Sequence, residues 1–194
     1  MGSVHTPLLE VAVDSVEDSV LAAACGATRL EIVRELHTQG LTADGGMIRE
    51  IRSRVDVPLM AMIRCRAGDF CYMEAEGSRM LEEVREAGEA GANGVVIGAL
   101  TRTGYIDRGL TRRLVNAAKE WGMETVFHRA FDFTPEGSES LEELVSLSVT
   151  RILTAGVGTW ATPAEGEGLQ SRIKRVRGLV EQAEGRIEVM PGGG

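Results

Sequence analysis

Stretches that favour strands and stretches that favour helices alternate along the whole chain, with a new strand beginning roughly every 30 residues. No other feature limits the possible folds as sharply. Seven strands are predicted, over Leu8–Val13, Arg29–Val33, Pro58–Arg64, Gly94–Leu100, Glu124–Ala130, Arg151–Gly156 and Arg186–Met190. Helical stretches separate them. The first is capped by Asp14 or Ser15 and stopped by Gly26, and the second starts at Thr42 or Asp44. Others start near Glu74, at Asp107 and at Ser138, and the last runs from Leu169 to Ala183 after a polar loop over Val157–Gly168. This alternation builds a parallel sheet covered by helices. A doubly wound sheet and a (β/α)8 barrel of the TIM type both show it, and polar groups recurring inside the strands favour the barrel. A closed barrel needs an eighth strand. An ending on glycines straight after the seventh therefore predicts a single barrel domain over residues 1–194, truncated after strand seven.

The stretch Glu124–Asp132 concentrates the chemistry. Thr125, Val126 and Phe127 favour a pleated, half-buried surface, and His128, Arg129 and Asp132 follow where the strand gives way to a loop. Burying that much charge without partners costs several kcal/mol or more, and ligands bind at the carboxyl ends of strands in such folds. Residues in a strand alternate between its faces. If Leu9, Val11 and Val13 face the helices, then Glu10, Ala12 and Asp14 face the barrel interior, as does Glu31 in strand two. Arg64 ends strand three, His128 ends strand five and Thr154 lies in strand six. Arg64 is expected to neutralise Glu10 or Glu31. The cluster reads either as a buried structural ion network or as a polar small-molecule site with His128 and a glutamate in acid–base roles. Arg66 and Asp69 either hold an anion or brace their loop. Gly192 and Gly193 stand where barrels often bind phosphate through bare backbone N–H groups, although a tight turn uses glycine too.

Composition removes several function classes. The formal net charge of −8 and the isoelectric point near 5.0 lack the basic footprint of a nucleic-acid or anionic-membrane binder. No apolar run reaches the length of a transmembrane helix, and no signal peptide is visible. The three cysteines, Cys25, Cys65 and Cys71, form no disulfide framework and suit a reducing cytoplasm. The two lysines, Lys119 and Lys174, both fall in helical stretches, which disfavours a Schiff-base aldolase.

Several motifs, in order, resemble the CutC family: L-L-E-V-A-V-D-S (Leu8–Ser15), R-L-E-I (Arg29–Ile32), G-L-T (Gly40–Thr42), M-I-R-C-R-A-G-D-F-C-Y (Met62–Tyr72), V-F-H-R-A-F-D (Val126–Asp132), R-I-L-T-A-G (Arg151–Gly156) and V-M-P-G-G-G (Val189–Gly194). The resemblance implies a cytoplasmic (β/α)8-type barrel, commonly a homodimer, associated with copper homeostasis. It also implies a further strand and helices past the terminal glycines. The family's functional positions match Glu10, Glu31, Arg64, Arg66, Asp69, His128, Arg129 and Asp132.

Cu(I) prefers thiolate and thioether ligands. Cys65 and Cys71 are the candidate metal ligands, with Met73 beside them and Met60 and Met62 just before. Related sequences often carry cysteine where this chain has Ala12 and Val33, so an inward-facing thiol pair is missing. Two expectations follow: a copper-handling protein binding Cu(I) through the loop after strand three, or a barrel enzyme acting on a small anionic metabolite through Glu10, Glu31, Arg64, Arg66 and His128.

Overall fold

The computed structural model describes residues 8–157 and 168–192. Seven strands form one parallel sheet in sequential order: β1 (Glu10–Val13), β2 (Arg29–Ile32), β3 (Leu59–Met62), β4 (Gly94–Ile97), β5 (Glu124–Phe127), β6 (Arg151–Thr154) and β7 (Glu188–Pro191). Helices α1 (Val16–Ala24), α2 (Gly45–Arg52), α3 (Glu74–Glu89), α4 (Arg108–Glu120), α5 (Gly137–Ser146) and α6 (Leu169–Ala183) follow the strands in turn, save that β7 is followed by none among the described residues. The result is a curled β/α barrel-type sheet of the predicted class. No helix among the described residues is long and apolar enough to cross a membrane.

Local chemistry sets the helix starts. Ser15 Oγ accepts the Asp18 N–H, and Asp44 and Asp107 carboxylates accept the Met47 and Leu110 N–H groups. The expected cap at Ser138 is a residue or two late. Glu136 occupies the cap of α5, while Ser138 Oγ donates to Gln182 on α6 at 2.6 Å. The strands are also shorter than their apolar runs. β5 stops at Phe127, and His128 caps a short 3₁₀ helix over Arg129–Phe133.

Alternation along each strand divides the interior in two. Leu30, Ile32, Leu59, Ile97, Phe127 and Ile152 pack outward against the helices. Val33, Met60, Met62, Val96 and Val126 pack inward, joined by Leu153 and Met190. Thr154 lies in β6, as expected, and points away from the inner face. Its hydroxyl donates to Asp132 on the outer side. At the amino ends of the strands the inner face is closed by ion pairs. Arg29 binds Glu10, and Arg151 reaches Glu188 at 2.6 Å and Glu124 at 3.4 Å. Inside, β4 gives up volume to its neighbours. A Cβ on Gly94 would lie 2.2 Å from Met60 Cε and 3.0 Å from the Glu124 carbonyl. Gly94→Ala should therefore destabilise the protein by about 1–3 kcal/mol, read as a lowered urea midpoint at unchanged m-value.

Candidate functional site

A cavity of about 450 Å³, within the usual range for small-molecule sites, runs along the inner face between β1 and β7. Glu10, Glu31, Arg64, His128 and Arg129 line it, with Phe70, Met62 and Met190 among the apolar walls. Gly192 also lines it, its N–H donating to the Thr154 carbonyl. Gly193 lies outside the described residues.

Glu10 and Glu31 differ in their surroundings. Glu10 is held by the Arg29 guanidinium, whose Nη2 also faces Met190 Sδ at 3.4 Å. The counter-ion of Glu10 is thus Arg29 and not the expected Arg64; at the start of a strand Arg29 reads in sequence as a mere boundary. Glu31 is 9% exposed, and its carboxyl has no hydrogen-bond partner among the described residues. Burial first, and then the charge of Glu10, push it up to about 8.

Arg64 neutralises neither glutamate. Its Nη1 donates to the Thr38 and Gly40 carbonyls at 3.0 and 3.2 Å, and its Nη2 to the Gly68 carbonyl at 2.9 Å. No carboxylate among the described residues lies within ion-pair distance of it. The guanidinium carbon sits 5.1 Å from the Phe70 ring centre, and the His128 ring packs on Phe70 with centres 4.8 Å apart. A site with a buried, uncompensated cation and a protonated Glu31 is positively charged at neutral pH.

His128 is 5% exposed, and its Nδ1 accepts the Ala130 N–H at 3.0 Å. A neutral ring whose Nδ1 accepts carries its proton on Nε2. That Nε2 is buried without a partner among the described residues. Burial, and then the Arg64 charge, push the imidazole down to about 3, so it stays neutral. Its place depends on a residue with no obvious sequence signal: a Cβ on Gly98 would lie 2.2 Å from the ring.

The remaining predicted residues hold the scaffold. Arg66 donates to Glu76 and Asp69 and to the Asp69 and Cys71 carbonyls, bracing its loop rather than facing an anion. Asp69 also accepts the Cys71 N–H. Asp132 accepts from Thr154, the Ala155 N–H and Arg129, tying the segment after β5 to the end of β6. A relay from the G-L-T motif to α3 fixes Arg64: its N–H donates to Thr42 Oγ at 2.8 Å, and Thr42 donates to the buried Glu83 of α3 at 2.7 Å.

The expected copper ligands do not form a centre. Cys65 packs against the outer core, and burial followed by Glu83 and Glu76 raises its thiol away from the thiolate that copper needs. Cys71 lines a neighbouring groove, which shares Gln39, Arg64 and Phe70 with the cavity, and not the cavity itself. The Met190 thioether in the cavity already faces a guanidinium. No group of three or more His, Cys, Asp or Glu side chains among the described residues is placed to hold an ion. These residues do not fit a copper site.

The CutC family model matches residues 7–194. The chain is 42% identical over 193 residues to a human protein named copper homeostasis protein cutC homolog, covering 100% of this chain and 67% of that one. It is 40% identical over 186 residues to a CutC family protein of Vibrio campbellii, covering 96% and 72%. A CutC crystal structure from Streptococcus agalactiae superposes with a TM-score of 0.86 at 32% identity, covering 97% of this chain and 89% of that one.

Glu31 gives a stability test with a defined sign. Its folded value lies above its unfolded one, so its contribution is fully present below about pH 4.5 and is lost as pH rises through about 8. Glu31→Gln keeps the shape and removes the proton. The variant should match the wild type near pH 5 and exceed it by on the order of 2 kcal/mol at pH 9, measured by urea denaturation at each pH.

Proposed function

The chain belongs to the CutC family, and we propose that the cavity on the inner face of its barrel binds a small organic anion and exchanges a proton with it. The observation that carries this reading is Arg64: a buried guanidinium on the cavity wall, bonded to three backbone carbonyls and balanced by no carboxylate among the described residues. A charge left in that state is stabilised by an incoming anion, and its bonds to both flanking loops hold it in place beforehand. Glu31 is the group whose proton is poised to move near neutral pH. Glu10, ion-paired with Arg29, adds its charge to the burial that raises Glu31 rather than taking part itself.

The copper name carried by relatives favours a second reading, in which Cys65 and Cys71 take Cu(I). The raised Cys65 thiol, and the lack among the described residues of a group of three or more His, Cys, Asp or Glu side chains around an ion position, argue against it.

Two titrations separate the readings. Oxalate, followed by calorimetry, should bind the wild type and lose at least tenfold in affinity, about 1.4 kcal/mol, in Arg64→Met. Anaerobic Cu(I) competition against a chelator of known affinity should give the same weak binding for the wild type and for the Cys65→Ser, Cys71→Ser double variant. Tight Cu(I) binding lost in the double variant, with oxalate inert, would replace the anion reading by the metal one.

A further inference from the structure

We propose that the cavity enolises a 2-oxo carboxylate, with His128 as a neutral hydrogen-bond donor to the substrate's carbonyl oxygen and Glu31 as the base at the adjacent carbon. This rests on the anion-site reading and adds to it a substrate class and a division of labour.

The orientation of the imidazole carries the inference. A histidine acting as a base needs a free ring nitrogen facing the substrate. Here the ring nitrogen able to accept is already used, because Nδ1 holds the Ala130 N–H, and the nitrogen left over is the protonated one. It is buried, unpartnered among the described residues, and belongs to a ring lining the same cavity as Arg64 and Glu31. A buried donor without an acceptor costs free energy, and a bound carbonyl oxygen removes that cost. As negative charge develops on the oxygen the same bond strengthens, so it stabilises the transition state more than the ground state. A neutral imidazole donor is a known way to polarise a carbonyl, with burial keeping the ring uncharged. Arg64 adds the cation for the carboxylate, with Phe70 packed against both donors.

The electron flow balances without an added reagent. The Glu31 carboxylate takes a proton from the carbon next to the carbonyl. The C–H pair becomes the carbon–carbon π bond, and the carbonyl π pair moves onto oxygen, where His128 Nε2–H holds it. Return of the proton restores the 2-oxo acid, and in D₂O the returning particle is a deuteron. Glu31 must be ionised to start, so the rate should climb with pH towards about 8 and level off above it.

The test follows C3 protons of pyruvate, 2-oxobutyrate and 2-oxoglutarate by proton NMR in D₂O with the 194-residue chain. Oxalate, which has no C–H to lose, reports binding alone. At least one 2-oxo acid should exchange with the wild type, and Glu31→Gln should lower the rate by about 100-fold or more while still binding oxalate. His128→Leu should lower it without abolishing oxalate binding. Oxalate binding with no exchange of any of the three acids would overturn the enolisation and leave the anion site standing. No oxalate binding and no exchange would overturn both. Exchange at the wild-type rate in Glu31→Gln would remove the base assigned here.

Discussion

The Arg64 guanidinium donates to carbonyls of two loops, Thr38 and Gly40 after β2 and Gly68 after β3, and so fixes both against the end of one strand. Each loop is also braced internally, the first by the Arg34–Leu41 bridge and the second by Arg66, and Arg64 ties the two together. The same group lies over Phe70, and Phe70 supports the His128 ring. Position of the cation, shape of the cavity wall and aim of the imidazole are therefore one mechanical unit. Thr42 and Glu83 extend it to α3 on the outside of the barrel. The arrangement satisfies most of the guanidinium's donors while leaving its charge unbalanced, which a carboxylate partner would not have done.

Charge is layered along the inner face. At the amino ends of the strands each carboxylate has an arginine: Glu10 with Arg29, and Glu124 and Glu188 with Arg151. In the middle Glu31 has none, and at the carboxyl ends Arg64 has no carboxylate among the described residues. Paired charges need no ligand, and unpaired ones of opposite tendency do. The sequence of layers explains why two glutamates of similar setting in the chain differ, one ion-paired with an arginine and the other raised by burial so that it is able to hold its proton.

Much of this was readable before any coordinates. The seven strands and the inward register of Glu10 and Glu31 follow from period-two alternation, and His128 stood out because an apolar strand ran into it. What failed to read were partners. Arg29 sits at a strand start, where an arginine looks like a boundary, and nothing local links it to Glu10 nineteen positions away. Arg64 lies two residues past the end of β3, and its partners are backbone carbonyls rather than the expected carboxylate, because carbonyls of unformed loops leave no mark in a sequence. Arg66 and Asp69 have the residue types of an anion site, and only the closure of their loop shows that each satisfies the other. Gly98 looks like any glycine in an apolar strand, although the imidazole occupies the space its side chain would take.

The two close approaches to β4 bear on how such a site can diversify. Gly94 and Gly98 contribute room, to Met60 and to His128 respectively, and no functional group of their own. A preference set by room rather than by groups is adjustable in increments of one methyl, without creating or destroying a charge. The arginines at the strand starts, which carry the electrostatic balance of the floor, are untouched by such changes. The charge balance of the floor and the room around the imidazole are thus set at different places in the sheet, one at the strand starts and the other where β4 ends.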